Sequence, residues 1–160
     1  MITKKIYQTL SFLSENFKKH NVNWVLIGSL NLFLQGVDVE FHDIDIYTDK
    51  VGTFCINKIF KNYEIEPIKF SEIEIFRSYR GIFKINNCLV DVVTDLKFRP
   101  SKTSKWFKSS GLSKIVSFKY RNLRLHLASL NEEYVAYINM GRLEKARKIK
   151  ERLQQLGVVV

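Results

Sequence analysis

The sequence predicts a mixed α/β (α+β) protein, a mixed β-sheet with helices mainly on one face and a helical C-terminus. Three observations predict this class. Apolar residues recur at helical spacing in Ile6, Leu10, Leu13 and Phe17. Several later segments alternate polar and apolar residues, the mark of strands with one buried face. The order helix, strand, helix, strand, helix, several strands, helices fits a sheet layered with helices.

Residues 3–19 form the first amphipathic helix, ended by Asn21-Val22-Asn23. "WVLIG" (24–28) is continuously apolar, as in an interior strand. Ser29 is placed to cap a following helix that ends at Gly36. "HDIDIYTD" (42–49) alternates and reads as a strand, after which Thr48 or Asp49 caps a helix over 50–61. Strands are expected over 71–78, 81–86 and 87–95, the last two joined at Asn86-Asn87, a turn-forming pair. Residues 97–112 read as a basic loop with a short helical piece. Strands over 114–120 and 123–130 meet at Arg121-Asn122. Asn131 is placed to cap a final helical region that Gly141 interrupts. The expected organisation is one core over residues 1–130 with a C-terminal helical extension over 131–160.

Composition narrows the function. With 160 residues, 46% of them hydrophobic and 13% aromatic, the chain can bury a real core. No run is apolar enough to cross a membrane and no signal peptide is evident, so a cytoplasmic protein is expected. Cys55 and Cys88 are too few for a disulfide framework or zinc cluster and read as small core residues. The net charge of +10 is concentrated in residues 96–131, which hold many Lys and Arg but no Asp or Glu. Such a field attracts anions, nucleotides and RNA among them. Trp106 and Phe107 lie within it. They fit base stacking, and equally a loop anchored on the core by its aromatics.

The chemistry points to carboxylates. Asp43 and Asp45 stand two apart on an expected strand, so both project from one face while Ile44 and Ile46 enter the core. Asp91 is a lone acid within "CLVDVV". If its strand neighbours the first, three carboxylates converge and can hold hard divalent cations, Mg2+ or Mn2+. Gly28-Ser29 stands just upstream, at a strand-to-helix turn suited to phosphate. The plain alternative is a solvent-facing strand and an ordinary turn. Arg77 and Arg80 read as surface residues. The basic residues of the last helix read as a solvated face paired with Glu144 and Glu151.

Together, "GSLNLFLQG", "HDIDI" and "LVDVV" resemble the nucleotidyltransferase superfamily related to DNA polymerase β, whose mark is hG[G/S], then DhDh, then a third acid on a later strand. The resemblance covers residues 22–95. It implies the nucleotidyltransferase fold and transfer of a nucleoside monophosphate from a nucleoside triphosphate to a hydroxyl, with release of pyrophosphate. Gly28 and Ser29 would bind the nucleotide; Asp43, Asp45 and Asp91 would bind metal and carry the catalysis. Many members place an Arg before the paired acids, where this chain has Val39-Glu40-Phe41-His42. The acceptor could be RNA, a protein or a small molecule, and the basic residues 97–124 favour RNA such as tRNA. The competing reading is a non-catalytic nucleotide- or nucleic-acid-binding module, or one component of a toxin–antitoxin pair.

Overall fold

The computed structural model describes residues 1–160. The chain runs α1 (Lys4–Lys19), β1 (Trp24–Ile27), α2 (Gly28–Leu34), β2 (Ile44–Thr48), α3 (Lys50–Ile59), β3 (Glu64–Glu72), β4 (Phe76–Ile85), β5 (Cys88–Phe98), β6 (Phe107–Lys108), β7 (Ile115–Tyr120), β8 (Leu123–Ala128), α4 (Leu130–Asn139) and α5 (Leu143–Gln155). A 3-10 turn at Lys61–Tyr63 leads into β3. The strands form one mixed sheet ordered β3-β4-β5-β2-β1-β8-β7, with β6 added to β5. β2 runs parallel to β5, and β1 parallel to β8.

Local sequence accounts for most of these elements. Thr3 caps α1 by accepting from the Ile6 amide, and Lys18 and Lys19 suit its negative C-terminal end. The helix buries Ile6, Leu10, Leu13 and Phe17 against the sheet. Each such fully buried side chain contributes about 2 kcal/mol. They pack with Ile44, Ile46, Val90, Val92 and Phe83 into the main core. Asn86 and Asn87 both take positive φ, 50° and 59°. Their turn sets the register Ile85 opposite Cys88 that carries through the β4–β5 hairpin. Both cysteines are free, Cys88 buried and Cys55 partly so.

Some expected boundaries shift. The segment 71–78 is not one strand: β3 ends at Glu72 and β4 starts at Phe76, because residues 73–75 make the hairpin turn, with Ile73 N–H donating to the Phe76 carbonyl. Asp49 caps α3 through the Gly52 amide. Ser129, not Asn131, caps α4 by accepting from the Glu132 amide. Ser29 lies inside α2 and caps nothing, since its hydroxyl is taken by tertiary partners. The basic loop contains no helix but the short strand β6. A second core of Leu32, Val37, Leu130, Tyr137, Ile149 and Leu153 joins α2 to α4 and α5. That packing places α4 beside the end of β1, at the edge of the site. No helix is long and apolar enough to cross a membrane.

Candidate active site

Strand register assembles the acids. Ile27 pairs with Asp45 across β1 and β2, and Asp45 pairs with Asp91 across the parallel β2 and β5. Paired positions on adjacent strands point to the same face. Asp45 and Asp91 therefore stand side by side, opposite the face that Ile44, Ile46, Val90 and Val92 bury in the core. Asp43 stands at a bend just before β2, not on the strand, so the strand spacing that would align it with Asp45 does not apply. It still acts electrostatically on both other acids. Asp95 lies at an irregularity in β5 with φ of 50° and is exposed, a backbone feature and not a fourth site acid. His42 is exposed.

Gly28 makes this crowding possible. Its φ is +72°, and a Cβ there would stand 2.2 Å from Asp45 Oδ2. Only a residue without a side chain lets the Asp45 carboxylate lie against the turn. Burial raises the Asp45 pKa to about 8, with further contributions from Asp43, Asp91 and Glu133 and partial relief from Arg80. Burial also raises Asp91, and outweighs the opposing pull of Arg80.

Arg80, which reads from sequence as a surface residue, is a member of the site. Its Nε donates to both Asp91 oxygens, at 2.9 Å and 2.7 Å. No three His, Cys, Asp or Glu side chains form a ready metal cage, and this fork-like pairing occupies both oxygens of the third acid. Replacing Arg80 by Gln is expected to leave Asp91 uncompensated. We expect a loss of about 2 kcal/mol in urea denaturation, below the roughly 3–5 kcal/mol of a fully buried pair because the guanidinium is 33% exposed. Asp91→Asn should erase most of that loss in a double-mutant cycle.

Three further residues come from the last two helices. Glu133 of α4 is buried and accepts from the Gly28 amide at 2.8 Å. Burial raises its pKa to about 7, against the pull of Asn31, Gly28 and Lys145. Lys145 of α5 donates to Ser29 Oγ at 2.8 Å and lies 5.6 Å from the ring of the buried Tyr137. Burial, Glu133 and Asp45 together raise the Tyr137 pKa. The basic face of α5 is thus not simply solvated. Lys148 donates to the Asp38 carbonyl and Arg152 to the Gln35 carbonyl, while Arg147 pairs with Glu151. The sequence held one signal for Glu133, an acid at a position of the α4 pattern that faces the interior. Lys145 carried none, because its partner lies 116 residues away.

A cleft of about 210 Å³ opens over these groups. Asp45, Asp91, Arg80 and Gly28 form one part of it, Phe76, Val93, Leu96 and Phe98 an apolar wall, and α4 with Lys108 and Arg142 the remainder. In the basic segment, the Trp106 ring carries Arg77 of β4 at 4.6 Å and Arg99 at 4.1 Å, and Lys105 lies over Phe107. Those aromatics already hold internal partners and anchor the loop.

Comparison with known proteins agrees with this geometry. The model of the aminoglycoside-2''-adenylyltransferase family matches residues 9–109. A Thermotoga maritima protein described as a nucleotidyltransferase is similar at 33% identity and a TM-score of 0.78, over 97% of this chain and 96% of that one. The lincosamide antibiotic adenylyltransferase LnuA, solved with lincomycin, shares the fold at 11% identity and a TM-score of 0.59, covering 94% of this chain and 97% of its own. ANT(2")-Ia, solved with adenylyl-2"-tobramycin, does so at 9% identity and a TM-score of 0.56, covering 91% and 90%. A search of curated proteins gives no match. The chain belongs to the aminoglycoside-2''-adenylyltransferase family, and is a nucleotidyltransferase of the DNA polymerase β-like superfamily.

Proposed function

We propose that this chain transfers adenylate from ATP to a hydroxyl of a small molecule bound in the cleft. The observation that carries the reading is the register of Asp45 with Asp91 beside the Gly28 turn. In the transfer, the acceptor oxygen forms a bond to the α-phosphorus, and the bond from that phosphorus to the bridging oxygen of pyrophosphate breaks. Once Arg80 yields it, the Asp91 carboxylate, which burial makes more basic than a surface aspartate, takes the acceptor proton. Ser29 and the Lys145 ammonium beside it meet the triphosphate.

The donor set suits a hard divalent cation, Mg2+ or Mn2+, since all three acids offer oxygen. Burial first, and then repulsion from Asp43, Asp91 and Glu133, raise Asp45, and such an ion would relieve the repulsion. Asp43 and Asp45 would hold it, with Asp91 available once Arg80 yields it. When bound, the ion neutralises triphosphate charge.

The cleft disfavours a polycationic acceptor. Among its acids, Glu132 is paired with Lys114 at 3.0 Å. Glu133 is spent on Gly28 and Asn31, Asp91 on Arg80, and Asp45 on the divalent cation it would hold. Lys108 and Arg142 are the cations left on its walls. An uncharged or anionic alcohol with an apolar body fits better. RNA is the second reading, favoured by the exposed Lys102, Lys105 and Lys119. It is weakened because Arg99 and Trp106 are occupied with each other.

The test is titration calorimetry with ATP, GTP, CTP and UTP, with and without Mg2+, on wild type and Asp45→Ala. Mg2+-dependent binding of ATP that Asp45→Ala loses supports the reading. Absence of any nucleotide binding would return the chain to the non-catalytic alternative. Label transfer from [α-32P]ATP to small-molecule or RNA fractions of a cell extract then separates the two acceptor classes.

A further inference from the structure

Glu133 is 6% exposed, and its Oε1 accepts two hydrogen bonds, from the Gly28 amide at 2.8 Å and from Asn31 Nδ2 at 2.7 Å. Asn31 Nδ2 also donates to the Ala128 carbonyl at 3.0 Å. Gln35 Nε2 closes the network by donating to Asn31 Oδ1 at 2.8 Å and to Ala128 O at 2.9 Å. One buried carboxylate thereby ties α4 to the end of β1, to α2 and, through Asn31, to the end of β8.

A buried acid is a costly way to fill space, and an apolar residue would pack α4 as well. It would, however, orphan the amide of Gly28 and one donor of Asn31. Gly28 is gripped from two sides: its amide by Glu133, and its bare Cα by the Asp45 carboxylate. The next residue, Ser29, accepts from Lys145. The Gly28 amide is already spent, so a triphosphate at this turn meets Ser29 and Lys145 instead.

We propose that Glu133 is a positioning residue that locks the Gly28–Ser29 turn, so that α4 and α5 form part of the nucleotide site. This rests on the adenylyl-transfer reading above. The carboxylate touches no substrate. It fixes the left-handed turn that aligns Ser29, Lys145 and Asp45.

Two measurements test it. In 15N-glycine-labelled wild type, the Gly28 amide is expected to be strongly protected from hydrogen exchange; free exchange overturns the lock, whether or not nucleotide binds. In calorimetry with Mg2+-ATP, Glu133→Ala is expected to raise the Kd about tenfold. Glu133→Gln keeps an accepting oxygen and should stay within about threefold of wild type. Leu13→Ala, which loosens the main core beneath α1, should lower the melting temperature without changing the Kd. An unchanged Kd in Glu133→Ala, or an equal loss in Leu13→Ala, reduces Glu133 to a packing role. A wild type that binds no nucleotide instead overturns the transferase reading, and the amide measurement still decides the lock.

Discussion

Gly28→Ala is expected to cut adenylyl transfer at least about a hundredfold in a protein that still folds. The backbone at this position has φ of +72°, which costs an alanine roughly 1–2 kcal/mol. The new methyl would stand 2.2 Å from Asp45 Oδ2 and 3.1 Å from its Cγ. The backbone cannot move away, because Glu133 holds the amide and β1 is paired on both sides. The carboxylate therefore moves, and a displacement of about 1 Å in a reacting constellation costs on the order of a hundredfold. Steady-state kinetics with ATP, together with a thermal melt, check this. A wild-type rate in Gly28→Ala would mean that Asp45 need not lie against the turn.

Asp45→Asn is expected to have two separable effects. Transfer should fall about a thousandfold, the loss of roughly 4 kcal/mol of transition-state stabilisation. Stability should change in the opposite direction. Unfolded, the Asp45 carboxyl ionises near 3.8; folded, it ionises at about 8. Between those values the unfolded chain has released a proton that the folded chain keeps, so rising pH favours unfolding. The folded state's advantage is complete below about pH 4 and gone above about pH 8. Glu133 adds the same trend between 4.5 and about 7. The metal-free wild type should therefore lose on the order of 6 kcal/mol between pH 5 and pH 8, about 4 of it from Asp45. Asp45→Asn should flatten most of that slope and exceed wild type in stability at pH 8. Urea denaturation at four pH values reads it directly. A wild-type stability that climbs from pH 5 to pH 8 would contradict the buried, mutually repelling acids.

Much of the fold was legible because its causes are local. The Asn86-Asn87 turn, the Asp49 cap and the helical period of Ile6, Leu10, Leu13 and Phe17 act within a few residues, and all stand as the sequence implied. Misplaced boundaries, such as the break at residues 73–75 and the Ser129 cap, arose where neighbouring residues offered equivalent local signals. The spacing of Asp43 and Asp45 was visible, yet the bend before Ile44 takes Asp43 off the strand.

By itself the sequence determined the layered class, Asp45 and Asp91 in their strands and the glycine turn ahead of them, since short-range sterics and side-chain periodicity govern each. Only the tertiary structure decided which charges meet. Arg80 reaches Asp91 through the β4–β5 register, Glu133 reaches Gly28 from 105 residues away, and Lys145 reaches Ser29 from α5. Those contacts depend on where whole elements dock, and a charged side chain carries no local mark of the partner that packing will bring to it.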